Sequence, residues 1–121
     1  MSKILIVDDS ETLRLELKTF LESLGHNVVE AESGPDGLEK IGQNTDVNLL
    51  ISDFNMPGMD GISMCKKIKD DPQFAKLPIF MLTTESTPEL KSVGKEAGVM
   101  AWIVKPFSTT KLKTVLDKIL K

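Results

Sequence analysis

Polar side chains follow four apolar runs of this 121-residue chain, each at the point where the run ends. They are Asp8 and Asp9, Asp53, Thr83, and Lys105. In an open parallel sheet the carboxyl ends of the strands line one crevice, and ligands bind there. We therefore expect three carboxylates, one hydroxyl and one ammonium group to meet, although they are far apart in sequence. Such a set can hold a divalent cation and accept a phosphoryl group on a carboxylate.

The order of the segments predicts an α/β fold. Apolar runs predict strands at 3–7, 27–31, 47–52, 78–83 and 99–104, and helical periodicity predicts helices at about 11–24, 35–42, 61–69, 88–97 and 109–120. The runs are almost continuously apolar, which is typical of strands covered on both faces. This alternation indicates a doubly wound, five-stranded parallel sheet with helices on both sides. Ser10 and Ser33 are predicted N-caps, and Gly25 and Gly98 are predicted helix stops.

Composition is that of a soluble, cytoplasmic protein. Apolar residues make up 40% and charged residues 27% of the chain, and no apolar run approaches the length of a membrane span. Cys65 is the only cysteine, which suits a reducing compartment. The amino terminus has no secretory signal pattern. Because the predicted fifth helix runs to the end of the chain, we expect a single domain over 1–121 and no output domain.

The charge is unevenly distributed. The net charge of −3 is too small to indicate a nucleic-acid partner. Residues 1–84 carry eight basic and 14 acidic side chains, whereas residues 85–121 carry seven lysines and four acidic side chains. This excess of lysine is consistent either with an acidic partner or with an ordinary solvated surface.

The three acids are best explained by a bound cation. Carboxylates a few ångströms apart raise one another's pKa, and Mg²⁺ removes that repulsion. Each residue also has a plain structural explanation: Asp8 and Asp9 can cap a helix, Lys105 can be a surface lysine, and Thr83 can be an ordinary strand residue. Their combination at successive strand ends favours a site. The chain lacks a glycine-rich phosphate loop, and the acidic turn after the first strand repels a preformed phosphate, so nucleotide binding is not indicated.

Four motifs resemble a known family. They are Val7-Asp8-Asp9-Ser10, the segment 53–61, Leu82-Thr83-Thr84-Glu85, and Val104-Lys105-Pro106-Phe107. With these motifs the whole chain resembles the receiver domain of two-component response regulators, and it is most similar to single-domain chemotaxis regulators. The resemblance implies the strand order 2-1-3-4-5. It also implies that the domain is not an enzyme in the usual sense, because it catalyses only its own phosphorylation and dephosphorylation.

The resemblance also implies roles for individual residues. Asp53 would be the phosphorylated residue. Asp9 and Asp53 would bind Mg²⁺ through their side chains and Asn55 through its carbonyl, with Asp8 contributing directly or through water. Lys105 would pair with the phosphoryl group, and its bond to Pro106 would be cis.

Two further positions concern signalling in this family. Thr83 would be the switch hydroxyl that moves toward the phosphoryl group, after which an aromatic residue on the fifth strand rotates inward. Trp102 occupies that place, where the family more often has tyrosine or phenylalanine. Asn55 and Glu85 would tune the lifetime of the phosphoryl group. His26, the only histidine, is predicted to be structural.

The expected partners are a CheA-like histidine kinase, a flagellar motor switch protein or other acidic-peptide target, and a phosphatase, with no nucleic acid or membrane partner. The protein itself is expected to be a monomer. A stand-alone receiver acting as a phosphorelay shuttle, phosphate sink or kinase regulator is the alternative within the same chemistry. A Mg²⁺-dependent phosphohydrolase with Asp53 as nucleophile is an alternative of another class, but such enzymes usually have an acid at the position of Asn55. A purely structural binding module is a third.

Overall fold

The computed structural model describes residues 2–120 as five strands that alternate with five helices. The strands are β1 (Lys3–Val7), β2 (Asn27–Ala31), β3 (Leu49–Ser52), β4 (Ile79–Thr83) and β5 (Val99–Val104). The helices are α1 (Glu11–Ser23), α2 (Gly34–Gln43), α3 (Gly61–Lys69), α4 (Pro88–Glu96) and α5 (Thr109–Ile119). A short 3-10 helix, Pro72–Phe74, follows α3.

The strands form one parallel sheet in the order β2-β1-β3-β4-β5, which confirms the predicted fold class and topology. Strand β1 lies between β2 and β3, so that Leu5 pairs with Val29 on one side and with Leu50 on the other. This order brings the carboxyl ends of β1, β3 and β4 next to one another. The crevice predicted from the sequence therefore lies at the middle of the sheet edge.

Two apolar layers cover the sheet. Along β1 the side chains alternate, with Ile4 and Ile6 in one layer and Leu5 and Val7 in the other. Helices α1 and α5 supply the first layer through Leu17, Leu21, Leu112 and Leu116. Helices α2 and α3 and the residues around α4 complete the second layer, whose members include Ile41, Ile62, Cys65, Ile68 and Ala97.

The helix ends follow the predicted chemistry. Ser10 Oγ accepts a hydrogen bond from the Leu13 amide at 3.2 Å, and Ser33 Oγ accepts one from the Asp36 amide at 3.2 Å. Gly25 and Gly98 have φ of 90° and 98°, values that favour glycine over other residues. The longest helix, α1, has 13 residues, and within residues 2–120 no helix is long and apolar enough to cross a membrane.

Two local predictions were wrong. Strand β3 begins at Leu49 rather than at residue 47, because the Val47 amide closes a turn with the Asn44 carbonyl at 3.1 Å. The assumption that every strand is covered on both faces fails at the sheet edges. Residues of β2 and β5 are mostly half-buried, and Met100 and Val104 on β5 are 56% and 45% exposed.

Candidate functional site at the carboxyl edge of the sheet

Backbone hydrogen bonds align the strand ends that carry the predicted site. The Asp8 amide donates to the Ala31 carbonyl at 3.1 Å, and the Asp53 amide donates to the Val7 carbonyl at 2.9 Å. The Lys105 amide donates to the Thr83 carbonyl at 2.9 Å. Each residue is thus fixed to the end of the neighbouring strand, so its side chain begins at the same edge of the sheet.

Lys105 joins the two buried acids. Its Nζ lies 2.9 Å from Asp8 Oδ2 and 3.1 Å from Asp53 Oδ2. Asp8 and Asp53 are only 4% and 6% exposed, so these ion pairs are shielded from solvent far more than ordinary surface pairs. The Lys105–Pro106 peptide bond is cis, as the resemblance implied.

Asp9 completes the acidic group. One oxygen from each of Asp8, Asp9 and Asp53 lies within 4.8 Å of the others. Asp9 is exposed, and within the described residues its side chain makes no hydrogen bond or ion pair. The structure therefore brings together all three predicted carboxylates and the predicted lysine.

The electrostatics of the site show a shortage of positive charge. Burial raises the pKa of Asp8, assisted by repulsion from Asp53, and the hydrogen bonds from Lys105 and the Ser10 amide do not fully offset it. Burial alone would lower the pKa of Lys105, but hydrogen bonds and attraction from Asp8 and Asp53 raise it above its usual value. The carboxylates of Asp8 and Asp53 both stabilise the charged form of Lys105, whereas these two carboxylates have a single ammonium group between them.

Asp53 lies at the start of a tightly packed loop. The Asn55 amide donates to Asp53 Oδ1 at 3.2 Å, which places Asn55 beside the acidic group. Gly61, at the first position of α3, lies against the backbone of Asp53 and Phe54, and a Cβ there would overlap the Asp53 carbonyl oxygen. The Gly61 amide donates to the Phe54 carbonyl at 2.9 Å. Glycine is therefore needed at residue 61 for the chain to pass close to Asp53.

Among residues 2–120 the Thr83 hydroxyl makes no hydrogen bond to the acids of the site. Thr83 is fully buried, and its Oγ1 accepts a long hydrogen bond of 3.4 Å from the Glu85 amide. No hydrogen bond joins this hydroxyl to Asp53 or Lys105 in the part of the chain that the structure describes. Trp102 Nε1 donates to the Glu85 carbonyl at 2.7 Å. The backbone of Glu85 thus connects the hydroxyl on β4 to the indole on β5.

The indole of Trp102 packs against α4. It is half-buried, and a Cβ at Gly94 would lie 2.8 Å from its Cζ3 atom. Glycine at residue 94 of α4 leaves room for this large ring. His26 lies at the opposite edge of the sheet, where its Nδ1 accepts a hydrogen bond from the Ser2 amide at 3.3 Å. Burial lowers the pKa of His26.

Sequence reasoning missed one residue that contacts the site. Arg14 Nη1 donates to the Asp8 carbonyl at 2.6 Å, and its Nε lies 3.4 Å from Glu30 Oε1. The signal was weak, because an arginine in the first turns of an amphipathic helix is usually a solvated surface residue. Arg14 reaches the Asp8 carbonyl and Glu30 because α1 packs beside β1 and β2, and this packing is known only from the structure.

Comparisons with known proteins agree on the family. Residues 4–117 match the model of the response regulator receiver domain. The chain is 43% identical to chemotaxis protein CheY1 of Helicobacter pylori, covering 98% of this chain and 96% of that protein. It is 42% identical to chemotaxis protein CheY-3 of Vibrio cholerae, covering 97% and 90%.

A solved structure shows the same relationship in three dimensions. The chemotaxis protein CheY4 of Vibrio cholerae, crystallised at low pH, superposes with a TM-score of 0.92 at 39% identity, over 98% of both chains. The family match spans nearly the whole chain, and the relatives are matched over almost their full length. This chain therefore belongs to the response regulator receiver domain family, among chemotaxis regulators of the CheY type.

Proposed function

We propose that this response regulator accepts a phosphoryl group on Asp53 from the phosphohistidine of a histidine kinase, with Mg²⁺ bound at the acidic group. The observation that carries this proposal is the contact of Lys105 Nζ with Asp8 and Asp53 beside the carboxylate of Asp9, which has no ion pair in the described part of the chain. Buried acids with too little compensating charge are typical of sites that bind a cation and an anionic ligand together.

The donor set fits Mg²⁺. The ion prefers hard oxygen ligands, and three carboxylate oxygens within 4.8 Å of one another offer them. Asp9 and Asp53 would hold the ion through their side chains, Asn55 through its carbonyl, and Asp8 directly or through water. When bound, Mg²⁺ would neutralise phosphoryl oxygens during transfer.

The protein's own residues then have distinct tasks. A carboxylate oxygen of Asp53 forms the new bond to phosphorus as the phosphorus–nitrogen bond of the phosphohistidine breaks, and the bond electrons remain on the imidazole. The ammonium group of Lys105 moves from its carboxylate partners to an oxygen of the bound phosphoryl group. Asn55 and Glu85, both exposed, flank the approach of the hydrolytic water and so tune the lifetime of the aspartyl phosphate.

Signal output follows the path through Glu85. The Thr83 hydroxyl turns from the Glu85 amide toward the phosphoryl oxygen, and the loop after β4 moves with it. The Glu85 carbonyl is also the acceptor for Trp102 Nε1, so the movement reaches the indole and the surface formed by α4, β5 and α5. Thr83 and Trp102 are the two proposed switch residues.

Mass measurement after incubation with acetyl phosphate and Mg²⁺ tests the chemistry. We expect one added phosphoryl group on the native protein, and none on the variant Asp53→Asn. Asp46→Asn is the matched control, because Asp46 is an exposed acid that pairs with Lys3 far from the site. Equal phosphoryl uptake by Asp53→Asn and the native protein would contradict the proposal.

The proposed setting is chemotaxis in the cytoplasm, where a monomer carries the signal from a CheA-like kinase to a flagellar motor switch protein and a phosphatase resets it. The named functions of the relatives support this assignment. An acidic target segment also suits the α4–β5–α5 surface, where Lys91, Lys95, Met100 and Trp102 line one shallow depression. A shuttle, phosphate sink or kinase regulator would use the same phosphorylation chemistry with another target.

Charge reversal tests this surface. We expect an acidic peptide from a motor switch protein to bind more tightly after phosphorylation, and Lys91→Glu with Lys95→Glu to weaken that binding by at least tenfold. Lys66→Glu with Lys67→Glu is the control, because these exposed lysines lie on α3. An affinity for this peptide that is the same with and without phosphorylation would indicate that the protein has a different target.

A further inference from the structure

Arg14 holds the peptide group that carries Asp9. Its Nη1 donates to the Asp8 carbonyl at 2.6 Å, and its side chain is only 14% exposed. The Asp8 carbonyl and the Cα atom of Asp9 belong to the same planar peptide unit, so fixing the carbonyl fixes the direction in which Asp9 leaves the strand. A charged donor makes this hydrogen bond stronger than a neutral one.

Asp9 depends on its backbone for position. Asp8 is held at four atoms: its amide by Ala31, its carbonyl by Arg14, its Oδ1 by the Ser10 amide at 2.8 Å, and its Oδ2 by Lys105. The Asp9 side chain has no hydrogen bond or ion pair among residues 2–120. The backbone turn, whose carbonyl Arg14 holds, is therefore what constrains the Asp9 carboxylate.

Glu30 orients the guanidinium group. Its Oε1 lies 3.4 Å from Arg14 Nε, and its Oε2 lies 3.3 Å from Lys18 Nζ. Because the guanidinium group is planar and rigid, anchoring Nε to Glu30 directs Nη1 toward the Asp8 carbonyl. A lysine at residue 14 has one flexible ammonium group and cannot reproduce this pair of contacts.

We infer that Arg14, oriented by Glu30, is a positioning residue that holds Asp9 in place for Mg²⁺. This inference rests on the proposed function, and it assigns to α1 and β2 a part in metal affinity. Residues that orient metal ligands typically change metal affinity by about 10- to 100-fold when they are replaced.

The test measures Mg²⁺ affinity directly, by calorimetry and by the rise in unfolding temperature with Mg²⁺ concentration. We expect Arg14→Lys to raise the Kd for Mg²⁺ by about tenfold. Glu30→Gln is a second, milder variant, for which we expect a smaller increase. Lys18→Ala is the control, because Lys18 contacts Glu30 but not Asp8. The Kd of this variant for Mg²⁺ should stay within about twofold of the native value.

Two further measurements separate positioning from general damage. The Mg²⁺ concentration for half-maximal phosphorylation should rise in Arg14→Lys, while the rate at saturating Mg²⁺ stays nearly unchanged. In an Asp9→Asn background, Arg14→Lys should have little further effect on the Kd, because the residue through which it acts is gone.

Native affinity in Arg14→Lys, with clear Mg²⁺ binding by the native protein, would overturn the inference and leave the proposed function intact. An undiminished Arg14 effect in the Asp9→Asn background would also overturn it. If the native protein binds no Mg²⁺ at millimolar concentration, the proposed metal site is wrong and the inference is wrong with it.

Discussion

The ammonium group of Lys105 bridges the carboxylates of Asp8 and Asp53, at 2.9 Å and 3.1 Å. These two buried acids share a single lysine, and the exposed carboxylate of Asp9 lies close by without an ion pair among residues 2–120. Burial raises the pKa of Asp8, so the ionised form of Asp8 is less favourable in the folded protein than in the unfolded chain. The same imbalance that suits a cation site should therefore lower the stability of the metal-free protein.

Asp8→Asn should raise the free energy of unfolding at pH 7 in the presence of a chelator. The raised pKa of Asp8 means that the folded state binds its proton more tightly than the unfolded state does, so ionisation destabilises the fold above the folded pKa. The penalty vanishes below the usual value of 3.8, where Asp8 is protonated in both states. Urea unfolding of Asp8→Asn and the native protein measures the difference between their free energies of unfolding. We expect this difference at pH 7 and expect it to be largely lost at about pH 3.5.

Mg²⁺ should reduce or reverse the difference in free energy of unfolding between Asp8→Asn and the native protein. A ligand present at 100 times its Kd adds about 2.7 kcal/mol to the stability of the protein that binds it, and Asp8→Asn should gain less. Asp46→Asn is a control of opposite sign: Lys3 lowers the pKa of Asp46, so this variant should be slightly less stable at pH 7. A lower stability of Asp8→Asn in chelator at pH 7 would show that the contact with Lys105 outweighs burial.

Thr83→Val should separate phosphorylation from switching. Valine keeps the buried shape but removes the hydroxyl, whose only hydrogen bond within residues 2–120 is the long one from the Glu85 amide, so the free energy of unfolding should change by less than about 1 kcal/mol. Phosphoryl uptake should persist in Thr83→Val. The change in tryptophan fluorescence that we expect on phosphorylation of the native protein, which reports on Trp102 as the only tryptophan, should be lost. Thr83→Ser retains the hydroxyl and should retain that change. Equal fluorescence responses in both variants would exclude Thr83 as the switch.

Gly61→Ala should destabilise the protein by about 3 kcal/mol or more. The added Cβ would overlap the Asp53 carbonyl oxygen, and backbone atoms cannot move aside as a flexible side chain can. Gly42→Ala in α2 is the matched control, because nothing lies within 4 Å of its Cβ position. Alanine there should add roughly 0.5–1 kcal/mol by favouring the helix. Similar melting temperatures for the two variants would show that the loop at Asp53 adjusts easily.

Much of this architecture follows from the sequence. The apolar runs and the serine caps predicted each strand and helix to within about two residues, because long periodic segments with clear end signals leave few alternatives. The juxtaposition of Asp8, Asp53 and Lys105 also followed, since parallel strands end at one edge of a sheet. The strand order did not, because several orders satisfy the same pattern, and it came from the resemblance to a known family.

The sequence did not predict the side-chain contacts that depend on how helices pack against strands. Arg14 contacts Asp8 only because α1 lies beside β1, and no periodic pattern predicts which atoms of a long side chain will meet a carbonyl. The contact between Trp102 and Gly94 was missed for the same reason. The sequence does not predict the 3-10 helix at Pro72–Phe74, since three residues are too few to form a periodic signal.

Cys65 should be almost inert toward thiol reagents in the folded protein. It is fully buried in the apolar layer between the sheet and α3, and burial raises the pKa of its thiol to about 12. At pH 8 only about one thiol in ten thousand would be ionised, and the thiolate is the reactive form. Modification by dithiobisnitrobenzoate should therefore follow the rate of opening of the fold, whereas one thiol per chain should react at once in urea. Complete modification within seconds in native buffer would show that the layer beneath α3 is open to solvent, and would place Cys65 at the surface rather than in the core.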